Sequence, residues 1–383
     1  MPQPVLRTLR DIEDFVRGCT FMGTGGGGQP EDGIASLKGE MEKGTVITWS
    51  QPDAVADDDW TVCPFLMGSI APITEHTKEQ MKSFGLSGRL YDQKTVLARA
   101  MEELAAFRGV RLDAVVPIEL GGANTPGGIA AALSLGLKVV DGDYTGRAIP
   151  EAQQTTPYLA EKPMWPITSV DEWGNVVVIR DASNYLMAER IGKMLSAAAF
   201  GLTGDAGFLL SGRDMKQVVV RDTLTMCLGI GRSIREAREK GKDPALEVSG
   251  MLGGWIVLRG KVTGKEWEDR DGYYWGYHTF HGDGEFAGQE MKIWFKNENH
   301  ISWKDGKPFV TSPDMLIVVD GKTGEPYTNT KIAEGQDVAV ICLKAVERFR
   351  SPRGIDILGP GHFGFKINYT PVERILRNSH EEV

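Results

Sequence analysis

The stretch Asp113–Glu151, DAVVPIELGGANTPGGIAAALSLGLKVVDGDYTGRAIPE, constrains the fold more than any other part of the chain. An apolar strand, Ala114 to Ile118, ends in Glu119. A Gly-Gly turn leads through Asn124 and Thr125 to Pro126, which opens an alanine-rich helix predicted to stop near Gly136. A second strand, Leu137 to Val140, then ends in Asp141-Gly-Asp143. Strand, loop, helix, strand is the unit of a parallel sheet, and open sheets of that kind bind ligands at the carboxyl ends of their strands. Carboxylates gathered at such an edge argue for chemistry over packing.

A chain of 383 residues exceeds one ordinary core, so two domains are expected. Residues 1–170 read as an α/β domain with a partly parallel sheet. There Thr8 caps a first helix, on which Ile12, Phe15, Val16 and Cys19 form one apolar stripe. A second helix starts at Pro30, strands follow at Gly44–Trp49 and Trp60–Met67, and another helix spans Lys94–Ala106. Residues 171–383 read as a connecting strand and turn, two helices (Tyr185–Ala199 and Met215–Lys240), and then a β-rich sandwich or barrel. Its strand-like runs include Trp255–Leu258, Met291–Phe295, Met315–Val319 and Val338–Cys342, separated by Gly, Asp and Asn turns.

Composition narrows the class of protein. The 47 glycines exceed the typical share of about 7% and favour many tight loops. The net charge of −9 and the lack of a basic cluster argue against nucleic acid. Cys19, Cys63, Cys227 and Cys342 are scattered, with no CxxC pair, as in a reducing compartment. No apolar run approaches the roughly 18 residues that span a bilayer, and the first residues lack an apolar signal core. A cytoplasmic protein without membrane contact is expected, and a homo-oligomer is the default assembly.

Several short patterns carry candidate chemistry. Gly23, Gly25 and Gly28 match the letters G-x-G-x-x-G, but the motif follows a helix, so no nucleotide cofactor is expected. The run Gly25, Gly26, Gly27, Gly28 can still turn backbone N–H groups toward an anion, next to a helix amino terminus. Thr125 suits the N-cap position and Pro126 the first helical position, and Asn124 could bond a substrate. Asp141 and Asp143 share a face if the segment is extended, and Arg147 is fit for bidentate capture of a carboxylate. His362, between glycines, is a further candidate for contact with a ligand. Cys63 reads as buried and structural, whereas Glu75-His76 fits an exposed pair as well as the sheet edge. His278-x-x-His281 has the letters of a metal site, yet i and i+3 on a strand face opposite ways. Metal use is open at this level: Glu119, Asp141, Asp143 and a distant His could converge on zinc or another divalent ion.

Taken in order, Phe21–Gly28, Met67–Pro72, Glu119–Asn124, Asp141–Asp143, Gly146–Ala148, Pro150-Glu151, Phe295–Glu298, Asp320-Gly321, Gly335–Ile341 and Leu358–Pro360 resemble the S-methyl-thiohydantoin desulfurase-like family. The resemblance covers nearly the whole chain. It implies an amino-terminal α/β half, a β-rich carboxyl half, and removal of sulfur from thiohydantoins. One member acts in ergothioneine breakdown, converting a thioxoimidazolidinone propionate to the hydantoin with release of hydrogen sulfide.

That chemistry needs a base for water, donors for developing charge, an acid for the leaving sulfur and an anchor. Asp141 or Asp143 is the expected base, with Glu119 as its partner acid. The Gly25–Gly28 loop, or the turn before Pro126, would hold the anion, and Arg147 would anchor a small anionic heterocycle. A ring-opening cyclic amidase and a non-catalytic hydantoin-binding subunit are the alternatives.

Overall fold

The computed structural model describes residues 4–381, with side chains through Arg377. Its first sheet has six strands: β1 (Trp60–Gly68), β2 (Ala114–Val115), β3 (Lys138–Val139), β4 (Ile167–Asp171), β5 (Val176–Ile179) and β6 (Leu202–Ser211). The spatial order is β3-β2-β1-β6-β4-β5. Only the β1–β2 and β2–β3 pairs are parallel, and the rest are antiparallel. The expected parallel unit therefore forms one flank of a mixed sheet, with β2 and β3 joined by the expected alanine-rich helix.

The second sheet is antiparallel throughout: β7 (Trp255–Arg270), β8 (Tyr273–Gly282), β9 (Glu290–Lys296), β10 (Glu298–Lys304), β11 (Lys307–Thr311), β12 (Met315–Asp320) and β13 (Asp337–Leu343). In the order β11-β10-β9-β8-β7-β13-β12 it curls into a half-barrel. The curl brings its ends close enough for Asn299 Nδ2 on β10 to donate to the Leu316 carbonyl on β12 at 3.0 Å.

Four helices position the core and the cavity: α1 (Leu9–Met22), α2 (Asn124–Ser134), α3 (Tyr185–Ala198) and α4 (Thr223–Glu239). Thr8 caps α1 as expected, in a reciprocal capping box with Asp11. The predicted stripe Ile12, Phe15, Val16 and Cys19 is fully buried. The sequence suggests one helix over Met215–Lys240, but the chain forms two, Gly212–Val218 and α4. Between them Val220–Arg221 pairs with Gly142–Asp143, and Asp222 takes a left-handed φ of 64°. Strand β6 has no counterpart among the expected elements: it is mostly buried on both faces, so it lacks the alternation that marks a half-exposed strand. Among the described residues, no helix is long and apolar enough to cross a membrane.

The two sheets share a core. One apolar cluster runs from Leu6 and Phe15 through Val62 and Ile129 to Cys227, Ile317 and Ile341. Its axis is the crossing of α1 and α4, which approach at paired glycines. A Cβ on Gly18 would lie 1.7 Å from the Cys227 carbonyl oxygen, and one on Gly231 would lie 1.7 Å from that of Asp14. Beside this contact the buried Asp14 carboxylate takes Arg17 at 2.7 Å and Arg235 at 2.9 Å. Gly231→Ala is therefore expected to destabilise the protein by about 1–3 kcal/mol through overpacking. Gly229 has open space around it on the same helix, so Gly229→Ala should be neutral or slightly stabilising. Urea unfolding of the two variants checks this, and equal midpoints would contradict the close crossing.

Candidate active site

A cavity of about 530 Å³ opens between the carboxyl end of β1, the turn after β2, helix α3 and the tip of the β9–β10 hairpin. Its wall includes Gly27, Gly28, Glu119 and Asn124 from the sequence-based candidates. It also includes Glu151, Glu189, Lys193 and Glu298.

Glu119 sits where β2 and its extension run out at the sheet edge. Its Oε1 accepts from Asn124 Nδ2 at 2.7 Å, and its Oε2 accepts from the Ile149 N–H at 2.7 Å. Asn124 is itself fixed, because its Oδ1 accepts from the Leu66 N–H at 3.0 Å. Burial pushes the Glu119 pKa up to about 7, against the pull of these donors and of Lys193.

Glu298 arrives from the other sheet. Lys296 and Glu298 pair across a one-residue turn at Asn297, which has φ 57°. This tight tip drives two charges against the first half of the molecule. Glu298 is buried, its Oε2 has no hydrogen-bond partner, and burial with the nearby Glu119 holds its pKa well above the usual carboxylate range. The glycine loop exists in this form because of Glu298: a Cβ on Gly26 would lie 1.7 Å from Glu298 Oε1.

The remaining charges are arranged around this pair. Lys193 Nζ donates to the Gly68 carbonyl at 3.2 Å, lies 3.9 Å from Glu189 Oε1, and stands 4.3 Å above the Tyr273 ring. Burial lowers its pKa, against the pull of Glu189 and Glu298. Burial opposes ionisation of Glu151 too, but its hydrogen bonds to His362 and Lys296 win and hold its pKa down to about 2. His362 lies outside the cavity wall and reaches it only through Glu151, at 2.7 Å.

The other sequence-based candidates lie behind the wall. Asp141 accepts from the N–H groups of Leu224 and Thr225, both at 3.1 Å, and from Thr225 Oγ1 at 2.5 Å, so it secures the start of α4. Asp143 Oδ2 accepts from Thr145 N, Thr145 Oγ1 and Gly146 N at 2.9, 2.8 and 2.7 Å, closing a local turn. Arg147 is fully committed to protein acceptors: Thr24 Oγ1 at 3.0 Å, the carbonyls of Ala148, Asn299 and Pro313 at 2.9, 3.1 and 3.1 Å, and Ser312 Oγ at 3.5 Å. Thr125 is not the N-cap, since α2 begins two residues earlier than expected, at Asn124, with Ala123 at the cap position. Its hydroxyl donates to the Glu119 carbonyl at 2.9 Å and accepts from the Gly121 N–H at 2.8 Å, which shapes the turn instead. Gly25 and Gly26 pack against Asn329 and Glu298 and are not part of the cavity wall, while Gly27 and Gly28 line it.

The anion-holding reading of the glycine loop changes in detail. The Gly27 carbonyl accepts the N–H groups of Ala123 and Asn124, at 3.0 and 3.1 Å, so it occupies the amino terminus of α2. The N–H groups of Gly27 and Gly28 donate to no protein acceptor among the described residues, and they border the cavity. As for metals, no group of three or more His, Cys, Asp or Glu side chains fit to share an ion occurs among the described residues. His278 is buried against Asn329, His281 pairs with Glu290 at the surface, and Glu75 and His76 are exposed.

Glu298 and Lys193 are, with Glu151 and Glu189, cavity groups absent from the sequence-based site candidates. Both had a signal: Lys296-Asn-Glu298 interrupts an apolar strand run with two charges, and Glu189 and Lys193 share a helix face with Ala188, Gly192 and Ser196. A carboxyl whose folded pKa is raised loses stability as pH climbs from its unfolded value, here 4.5, toward its folded value. Glu298→Gln removes that loss, so the variant should fold and should gain stability over the parent as pH rises from 4.5 through the neutral range. Thermal melts across this range check the sign, and a constant difference would place Glu298 in water.

Two family models match the chain in series. The model for the S-Me-THD-like N-terminal domain matches residues 10–181, and that for the S-Me-THD-like C-terminal domain matches residues 182–372. The X-ray crystal structure of a protein from Chromobacterium violaceum, a structural-genomics target, superposes with a TM-score of 0.74. At 20% identity, over 96% of this chain and 100% of that one, the likeness concerns the fold. No curated protein matches. With both halves matched in order over the core, the cavity and the hairpin that closes it, the chain belongs to the S-Me-THD-like family.

Proposed function

We propose that the protein is a hydrolase that replaces sulfur by oxygen on a thiohydantoin-type ring, releasing hydrogen sulfide. The observation that carries this reading is the pair Glu119 and Glu298, two buried carboxyls at one cavity whose environments separate their protonation at neutral pH. A cavity of about 530 Å³ suits a small heterocycle with a short substituent.

In the proposed reaction, Glu119 as carboxylate takes a proton from water while the water oxygen bonds to the ring carbon bearing sulfur. The C=S π electrons move onto sulfur, and the N–H groups of Gly27 and Gly28 receive the developing negative charge. Glu298, protonated, gives its proton to that sulfur. The C–S bond then breaks as the adduct's hydroxyl oxygen re-forms C=O and returns a proton to Glu298. The proton held by Glu119 passes to the departing hydrosulfide, so water and thiohydantoin become hydantoin and hydrogen sulfide. Asn124 and the Ile149 N–H aim Glu119, and Lys193 is the cation that faces a substrate oxygen or carboxylate. Asp141, Asp143 and Arg147 act at a distance by holding the loops.

Incubation with 2-thiohydantoin derivatives should release sulfide, while a new carboxylate would support ring opening instead. Binding without turnover would support a non-catalytic subunit. Glu119→Gln should lower kcat by about 100-fold or more, with the fold intact by circular dichroism. Asp141→Asn should act chiefly on stability. The rising limb of kcat/KM should fall near the Glu119 pKa of about 7, where its carboxylate forms. Full activity in Glu119→Gln would remove the assignment.

A further inference from the structure

The cavity changes character from its inner end to its mouth. Glu119, Lys193 and Glu298 are buried inside. Nearer to solvent the wall carries Ile70, Pro72 and Ile73, which follow the carboxyl end of β1, and Phe200 and Leu202, which lead into β6. The two segments are neighbours because Gly68 pairs with Leu202 in the β1–β6 register. Ile73 is 39% exposed, and Ile70, Phe200 and Leu202 are half-buried.

This apolar lip does not serve the fold. Among the described residues, Ile70, Ile73, Phe200 and Leu202 belong to none of the molecule's apolar cores. Phe200 even carries a cost. It follows the Ala199 C-cap of α3 with a left-handed φ of 60°, the place that glycine usually takes. A bulky side chain is strained there, and strain of this kind gathers at functional sites. Its ring meets the exposed ring of Phe84 edge-on, with centroids 5.5 Å apart. Apolar groups collected at a cavity mouth and left in water mark a binding surface.

The charges at the mouth do not offer a site for an ion. Arg89 Nε lies 3.0 Å from Glu172 Oε2, and Arg270 Nη1 lies 3.0 Å from Glu268 Oε1 with its guanidinium over the Trp275 ring. Both bases are thus engaged. Asp32, Asp269 and Asp271 line the same wall and repel an anion, but they stand in water, where pairing with a cation is worth little. The lip is the part of the mouth that gains by being covered.

We propose, resting on the ring hydrolysis above, that the substrate is a 2-thiohydantoin whose C5 carries an uncharged apolar side chain, aliphatic or aromatic. C4 and C5 lie across the five-membered ring from C2. With C2 at Glu119 and Glu298, a C5 substituent points outward and seats between Ile70–Ile73 and Phe200–Leu202. Phe200 and Ile73 then determine specificity, and Lys193 faces a ring oxygen.

The test measures sulfide release from 2-thiohydantoin and from its 5-benzyl, 5-isobutyl, 5-(2-carboxyethyl) and 5-(4-aminobutyl) derivatives. In parallel, calorimetry measures binding of the corresponding hydantoins, which lack the sulfur. The benzyl and isobutyl compounds should exceed the unsubstituted and both charged ones by about 10-fold or more, in kcat/KM and in affinity. Phe200→Ala and Ile73→Ser should each reduce the benzyl preference by about 3-fold or more. Equal values across the series, a preference for either charged side chain, or a benzyl preference unchanged in both variants overturns the proposal. If no compound releases sulfide, the hydrolytic reading fails, and the binding series still decides whether the lip takes an apolar group. Sulfide release without an apolar preference overturns the lip alone.

Discussion

The buried guanidinium of Arg147 is the contact on which the rest of the molecule depends. It leaves the loop after β3, bonds Thr24 beside the glycine run, and reaches the Asn299 and Pro313 carbonyls of the half-barrel. Burial lowers its pKa to about 10, with Glu298, Asp314 and Glu119 opposing, so it stays charged at neutral pH. A charged fork with its donors satisfied can bond fixed carbonyls from three segments at once, which a single ammonium cannot do as well. Through it the glycine loop, the sheet-edge turn and the β9–β10 hairpin share one geometry.

That geometry sets up the electrostatic tension of the cavity. The hairpin tip brings Glu298 toward Glu119, whose charge makes ionisation of Glu298 harder still. Such an arrangement costs stability and persists only where surrounding contacts over-determine it. Here Asn124 and Ile149 hold Glu119, Gly26 cradles Glu298, and Lys296 bonds Glu151 to anchor the tip. Lys193 supplies a compensating positive charge from α3. The segments with strong packing thus serve the few side chains whose protonation is left undecided near neutral pH.

Much of this architecture was legible in the sequence because it rests on local rules. The Thr8 cap, the α1 stripe, the Pro30 start, the parallel β2–α2–β3 unit and the β-rich second half all follow from spacing and turn chemistry. Glu119 and Asn124 were legible as cavity groups because strand ends face the open edge of a sheet. Asp141 and Asp143 also follow strand ends, but Asp141 met the free N–H groups of a helix start 83 residues later in the chain. A carboxylate that finds such donors becomes a cap, and nothing local to Asp141 announces where α4 will begin. The same event divides the expected long helix at Val219–Asp222.

The amino-acid sequence therefore determined the elements, the class of each half, and a carboxylate-rich edge with a glycine loop beside it. Folding in three dimensions determined which carboxylates meet. Glu298 and Lys193 join Glu119 from 179 and 74 residues away, through a hairpin tip and a helix face. Pairings across such separations depend on how two sheets dock, and docking is set by the α1–α4 glycine crossing and by Arg147. These are long-range contacts, whose energies no short window of sequence contains.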